Sequence, residues 1–202
     1  MSKQKIRNIS ITAIFTGLSV ILYFLKFPLP FFPSFLKIQF SALPLVIIGF
    51  ALGPAYGFIA LVAKTIICLP MSESLYVGDL ADFIIGCGYI LSTSFMYKHY
   101  KTKKGALASL LVGCGVWILL GCVANYFILV PFYIETFMKA NINNFVAACS
   151  VIPGININNY KEAYVFLAAL PFNLLISVVV SFVTFIVYKK ISVFLKTPDF
   201  KK

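Results

Sequence analysis

Five side chains bring polar chemistry into runs that are otherwise apolar: Lys64, Asp79, Asp82, Asn125 and Asn173. A charge in hydrocarbon costs several kcal/mol unless it is paired or wet, so each needs a partner or a water-filled surface. Lys64 lies six residues before Pro70, and Asp79 and Asp82 open the next apolar run. Three residues apart, the two aspartates share one helix face. Two readings are open. In one, Asp79 caps the helix and favours its positive end while Asp82 pairs with Lys64 to hold two helices together. In the other, both aspartates form the polar wall of a cavity. Asn125 in ANYFILVP and Asn173 in LPFNLL divide in the same way. Membrane asparagines often glue helices together, at about 1 kcal/mol. Here the two are expected at similar depths, where they could converge on one pocket.

Reactive chemistry has little to be built from. His99 is the single histidine, and it lies in the basic tract KHYKTKK. The five cysteines, Cys68, Cys87, Cys114, Cys122 and Cys149, form no CxxC pair and read as small core residues. This argues against a metal site, a histidine-based triad and most intramembrane protease designs. No GxxxxGK[ST] loop is present, so any ATP hydrolysis must come from a partner.

The elements that position these residues are membrane helices. Of 202 residues, 61% are hydrophobic and 11% charged, against about 25% charged in a soluble domain. Mean hydropathy is +0.97. A spanning helix needs about 20 apolar residues, and Ile9 to Leu25, Gly78 to Tyr97, Gly105 to Tyr133 and Ala163 to Tyr188 each qualify. Lys3, Lys5 and Arg7 precede the first run without a small-residue cleavage pattern, which reads as an uncleaved anchor.

The stretch from Ile38 to Pro70 is interrupted by LGPAYG. Short cytoplasmic loops collect lysine and arginine. Two crossings put Lys3 to Arg7, Lys98 to Lys104 and Lys189 to Lys202 on one side, whereas a single crossing separates them. The expectation is an all-α integral membrane protein, a single six-helix domain over residues 1–202 with both termini cytoplasmic. Its second helix, roughly Phe40 to Leu52, is short, and residues 27–40 and 134–162 form the main outer connections. The net charge of +11 is then explained by orientation and by contact with anionic membrane lipid rather than nucleic acid.

The first outer connection reads FPSFLKIQFSALP. Its prolines forbid a continuous helix, its aromatics can cover a flat ring, and Lys37 and Gln39 can hydrogen-bond a ligand. Read blandly, it is a stiff connector whose Lys37 reaches water. On α-helix one, Ala13 and Gly17 are small residues four apart, a spacing that lets another helix approach closely.

The order FLKIQFSALP, GFALGPAYG, VGDLADFIIG, NYFILVPFY and LPFNLL resembles the riboflavin-binding S component of energy-coupling factor (ECF) vitamin transporters, over almost the whole chain. The resemblance implies a plasma-membrane protein that is not an enzyme and needs no cofactor. It would capture a vitamin in an outer pocket closed by the loop after helix one, using Leu36, Lys37, Ile38, Gln39, Asp79, Asp82, Asn125 and Asn173. It also implies a transmembrane coupling subunit and two ATPases as partners, docked where Ala13 and Gly17 lie. Four positions depart from the family pattern. Gln39 and Ala42 stand where acids are expected, Asp82 where asparagine is expected, and Ile176 where a lysine is expected. They bear on the ligand, for which another small heterocyclic vitamin or precursor is the alternative. A self-contained small carrier is the other alternative, although no internal repeat supports it.

Overall fold

The structure is a computed structural model that describes residues 2–196. The end of the third basic cluster, 197–202, lies outside the described residues. Helices dominate because each apolar run satisfies its own backbone, which hydrocarbon requires. The first, α1, covers Lys3–Phe24 and begins at Ser2, whose side chain accepts from the Lys5 N–H. It therefore starts six residues before the expected Ile9, taking the basic residues into its first turns.

A two-residue hairpin follows, with β1 (Phe27–Pro28) antiparallel to β2 (Lys37–Ile38). Next come α2 (Ala42–Leu52) and α3 (Pro54–Cys68), the latter prolonged by a tight turn at Leu69–Met71. The expected break between them is a single residue, Gly53, at φ 108°. That conformation suits glycine alone, and Pro54 then pre-sets the first turn of α3. With 11 residues, α2 is about 16 Å long at 1.5 Å per residue, about half the hydrocarbon thickness.

Helix α4 spans Val77–His99. Two long rods complete the bundle. One runs from α5 (Lys103–Ala124) through α6 (Val130–Thr136), and the other from α8 (Tyr160–Tyr164) through α9 (Leu170–Lys196). Between the rods lies the short α7 (Ile142–Ala148). Five of these helices, α1, α3, α4 and the two rods, are long and apolar enough to cross a membrane, and α2 is a shorter apolar one.

Each rod contains a wide π turn, at Asn125–Leu129 and at Val165–Ala169. Both stop two residues before a proline, Pro131 and Pro171. Proline lacks an N–H, and its ring clashes with the carbonyl four residues back. Widening the turn relieves that clash without ending the helix.

The two ends of the bundle differ in charge. Asn8 bonds Tyr56 at 3.4 Å, and Phe50 stacks on Tyr97 and meets Tyr188 edge-on. These contacts bring the start of α1, the α2–α3 corner, the end of α4 and the far part of α9 to one end, with Lys98 and Lys101 beside them. Glu73, Asp79 and Asp82 lie around the opposite end, beside the hairpin. The interior is sealed by buried small and aromatic residues: Ser19 donates to the Ser41 carbonyl at 2.5 Å, and Tyr89 bonds Ser181 at 2.8 Å.

Candidate functional site

At the acidic end, the hairpin and its flanks fold over the bundle. Pro28, Pro30 and Pro33 keep this segment out of helix, as their sequence requires. Phe32 lies edge-on to Phe172, with ring centres 5.3 Å apart. Phe35 sits among Tyr133, Phe145 and Tyr164, with centres 5.3, 6.0 and 5.9 Å away. Lys37 is tied to Glu73 on the α3–α4 connection at 2.6 Å, and Lys26 approaches the same carboxylate at 3.4 Å. The Lys37 hydrogen bond, helped by the charge of Lys26, holds the Glu73 carboxyl below its ordinary value.

Beneath this cover lies a cavity of about 390 Å³, which continues into a smaller lobe of about 150 Å³. Phe35, Lys37, Gln39, Asp82 and Tyr133 line both lobes, so they form one space. Its size falls in the range of small-molecule sites, roughly 300–1,000 Å³. The larger lobe carries the polar rim of Lys26, Glu73 and Asp79. The inner lobe is walled by Leu36, Trp117, Phe172, Asn125, Asn173 and Ile176.

Asn125 and Asn173 do converge on one lobe, and the fold holds both in place. Asn125 donates to the Gly121 carbonyl at 2.8 Å and accepts from Tyr164 Oη at 3.0 Å. Asn173 donates to the Ala169 carbonyl at 2.7 Å and accepts from Trp117 Nε1 at 3.1 Å. Gly121 packs directly on Asn173, since a Cβ there would lie 2.5 Å from the amide carbon. Each amide thus acts both as an inter-element clamp and as a wall of the cavity, and each keeps acceptor or donor capacity beyond the bonds it makes.

The aspartates divide. Asp82 meets Lys64 at 2.5 Å, with 3% of the lysine side chain exposed and 25% of the aspartate side chain. The exposed part faces the cavity, so Asp82 is an ion-pair partner and a wall residue at once. Asp79 does not cap α4. The residue ahead of that helix is Tyr76, in the left-handed region, and the first-turn amide of Gly78 donates to Ser74 Oγ at 3.0 Å rather than to an aspartate. Asp79 instead accepts from Tyr23 Oη at 2.6 Å and from Ser72 Oγ, joining α1 to the α3–α4 connection. The αL turn displaces the helix start, and a carboxylate in the first turn reaches across to hydroxyls rather than back to amides.

Of the other expected residues, Leu36, Lys37 and Gln39 line the space, whereas Ile38 is not among its wall residues. Strand alternation turns Ile38 the other way, and it is buried in the core. Ala13 and Gly17 lie exposed on the outer face of α1, with nothing near the open side of Gly17. Tyr23, Glu73, Trp117, Tyr133 and Tyr164 belong to the site without having been singled out by sequence, whereas Phe35 is among the loop aromatics expected to cover a ring. Only Trp117, the single tryptophan, carried a compositional signal.

A family model for the substrate-specific component of ECF transporters matches residues 7–188. The chain belongs to that family. It is therefore a substrate-binding membrane subunit of an ECF transporter, not an enzyme, and the family works with an ECF module. This S component is 27% identical to the riboflavin transporter RibU of Staphylococcus aureus (strain TCH60), over 97% of its own length and 96% of the relative's. It is also 27% identical to the riboflavin transporter FmnP of Bacillus subtilis (strain 168), over 93% of each chain. Its fold matches a solved S component of a bacterial ECF transporter with a TM-score of 0.72 and 25% identity, covering 96% of this chain and 100% of the other.

Proposed function

We propose that this S component captures riboflavin, or a closely related flavin, in the two-lobed cavity and delivers it for ATP-driven uptake. The observation that carries the reading is the full-length likeness to two proteins named as riboflavin transporters. The cavity supports it, because Phe35, Tyr133, Trp117 and Phe172 line it with aromatic surface on which a flat ring system can rest, and a polar chain suits the Lys26–Glu73–Asp79 rim. Leu36, Lys37, Gln39, Asp79, Asp82, Asn125 and Asn173 are the contact residues of this reading. A related heterocyclic vitamin is the second reading, favoured by Asp82, which puts a carboxylate on the wall of both lobes.

In the membrane, six crossings with both termini cytoplasmic follow from the basic residues gathered at one end of the bundle. Residues 27–40 and 134–162 then face the outside of the plasma membrane, and α2 crosses as a short helix within the bundle. A transmembrane coupling subunit with two ATPases docks on the α1 face that carries Ala13 and Gly17. Cysteines placed at Ser34 or Asn156 should react with an impermeant reagent on intact cells, and one at Lys103 should not. The reverse pattern would invert the topology.

The ligand is tested on the detergent-purified protein. Riboflavin should bind at about one per chain, with quenching of flavin fluorescence and of Trp117 emission. If no flavin binds while another vitamin co-purifies, the riboflavin assignment fails and the transport role stands.

A further inference from the structure

The rim of the ligand cavity mixes charge of both signs, and its cations are already engaged. The ammonium groups in the walls of the two lobes are those of Lys26 and Lys37, set against three carboxylates, Glu73, Asp79 and Asp82. Glu73 holds both lysines at once. Its Oε2 accepts from Lys37 at 2.6 Å, and its Oε1 lies 3.4 Å from the Lys26 ammonium. Lys26 also lies over the Tyr23 ring, 4.5 Å from its centre, which favours the ammonium where it stands. Beside the cavity, Lys64 is taken up by Asp82. Among the described residues, Asp79 is tied to the hydroxyls of Tyr23 and Ser72 and to no cation.

Such a rim suits one kind of polar group and opposes another. The hydroxyls of a neutral polyol both donate and accept, so they can bond carboxylates and ammonium groups alike without parting them. A phosphate monoester carries a charge of about −1.5 to −2 near pH 7 and offers chiefly acceptor oxygens. To reach a cation here it must displace Glu73 from Lys26 and Lys37, which leaves that carboxylate unpaired beside Asp79 and the phosphate itself. Glu73 is ionised at neutral pH, because the Lys37 hydrogen bond and the charge of Lys26 hold its carboxyl below the ordinary value. Like charges in a partly enclosed space repel more strongly than in open water, so the penalty falls on the phosphorylated ligand alone.

We infer that Glu73 is a specificity-determining residue: by occupying both lysines, it makes the cavity accept the uncharged vitamin and reject its phosphorylated form. The inference rests on the flavin assignment proposed above, in which the polar chain ends at the Lys26–Glu73–Asp79 rim. Selectivity of this kind is a difference of two affinities, and it is built from repulsion of the wrong ligand as much as from attraction of the right one.

The test titrates the detergent-purified full chain with riboflavin and with riboflavin monophosphate, and reads the ratio of the two dissociation constants. The unaltered protein should bind riboflavin at least tenfold more tightly. In Glu73→Gln that preference should shrink several-fold, and monophosphate binding should become sensitive to added salt as the freed lysines take it up. A merely loosened hairpin would change both affinities together and leave the ratio where it was. Glu73→Asp, which keeps the charge, should retain most of the preference. Lys26→Gln/Lys37→Gln/Glu73→Gln, which removes the freed cations, should lose the gain in monophosphate binding. An unchanged ratio in Glu73→Gln, or equal affinity of the unaltered protein for the two flavins, overturns the inference while the flavin assignment stands. Failure of both flavins to bind overturns the flavin assignment and the inference with it.

Discussion

Lys64 and Asp82 show how a single pair serves two purposes. The lysine side chain is almost wholly buried, so removing its partner strands a charge in a low-dielectric interior. Asp82→Asn should therefore destabilise the protein by about 3–5 kcal/mol, read as a lowered melting temperature. Lys64→Met/Asp82→Asn should recover much of the loss, since no uncompensated charge remains. Equal melting of the single and double variants would mean that the pair does not couple. Glu73 works differently, at the surface. Its carboxyl is held below the ordinary value of 4.5 by Lys37 and then Lys26, so the tether it makes is fully present above that value. It is lost as pH falls through the lowered value in the folded protein. Protease cleavage within residues 25–41 should accordingly accelerate below about pH 4.5. In Glu73→Gln the cleavage should already be fast at neutral pH and vary little with acidity. A wild-type segment equally protected at both pH extremes would show that Glu73 does not hold the hairpin.

At the level of elements, hydropathy and charge revealed most of what the fold contains. Apolar runs of spanning length, the break at Gly53 and the non-helical proline segment all follow from local rules, and the structure keeps them. The start of α1 did not follow, because Lys3, Lys5 and Arg7 end an apolar count without ending a helix. The part of the aromatic wall that lies on the rods was hidden for a related reason: Tyr133 and Tyr164 are unremarkable letters in a chain with 21 phenylalanines and 11 tyrosines. Their meeting depends on how two rods turn. The π turns set that rotation, and the prolines that demand them were visible in the sequence while their consequence was not. Pro171→Ala supplies the missing N–H and removes the ring, so the turn at 165–169 can tighten to an α-helix. Tightening by one residue rotates what precedes it by about 100° and carries Tyr164 away from Asn125 and Phe35. Vitamin affinity should fall at least tenfold, about 1.4 kcal/mol, while the melting temperature holds or rises. Normal affinity with an unchanged melting point would show that the bulge has no part in shaping the cavity. Asn173→Ala is the side-chain counterpart. It leaves the Trp117 N–H without its acceptor and should weaken binding by about 1–3 kcal/mol, checked by the same titration.

At the scale of the whole molecule, the function proposed above separates capture from coupling. The cavity lies at one end beneath the hairpin, whereas the outer face of α1 runs along the side of the bundle and carries Ala13 and Gly17, both exposed, near the middle of the helix. Ala13 and Gly17 touch little within the chain, and nothing lies within 4 Å of where a Gly17 side chain would project. A stripe of small residues lets a second helix come close enough for backbone packing, and a large side chain there holds the two apart. Gly17→Trp should therefore leave the fold and the vitamin affinity nearly unchanged, because its indole projects into lipid rather than into the bundle. Uptake should collapse, since a loaded S component without a docked module has no source of energy for release. Titration of the purified variant, set against uptake by cells carrying the complete transporter, makes the comparison. Asn173→Ala provides the mirror image, with impaired binding and an intact docking face. Should Gly17→Trp transport normally, the partner must dock on another face; should it lose binding and uptake together, α1 must be part of the capture machinery after all.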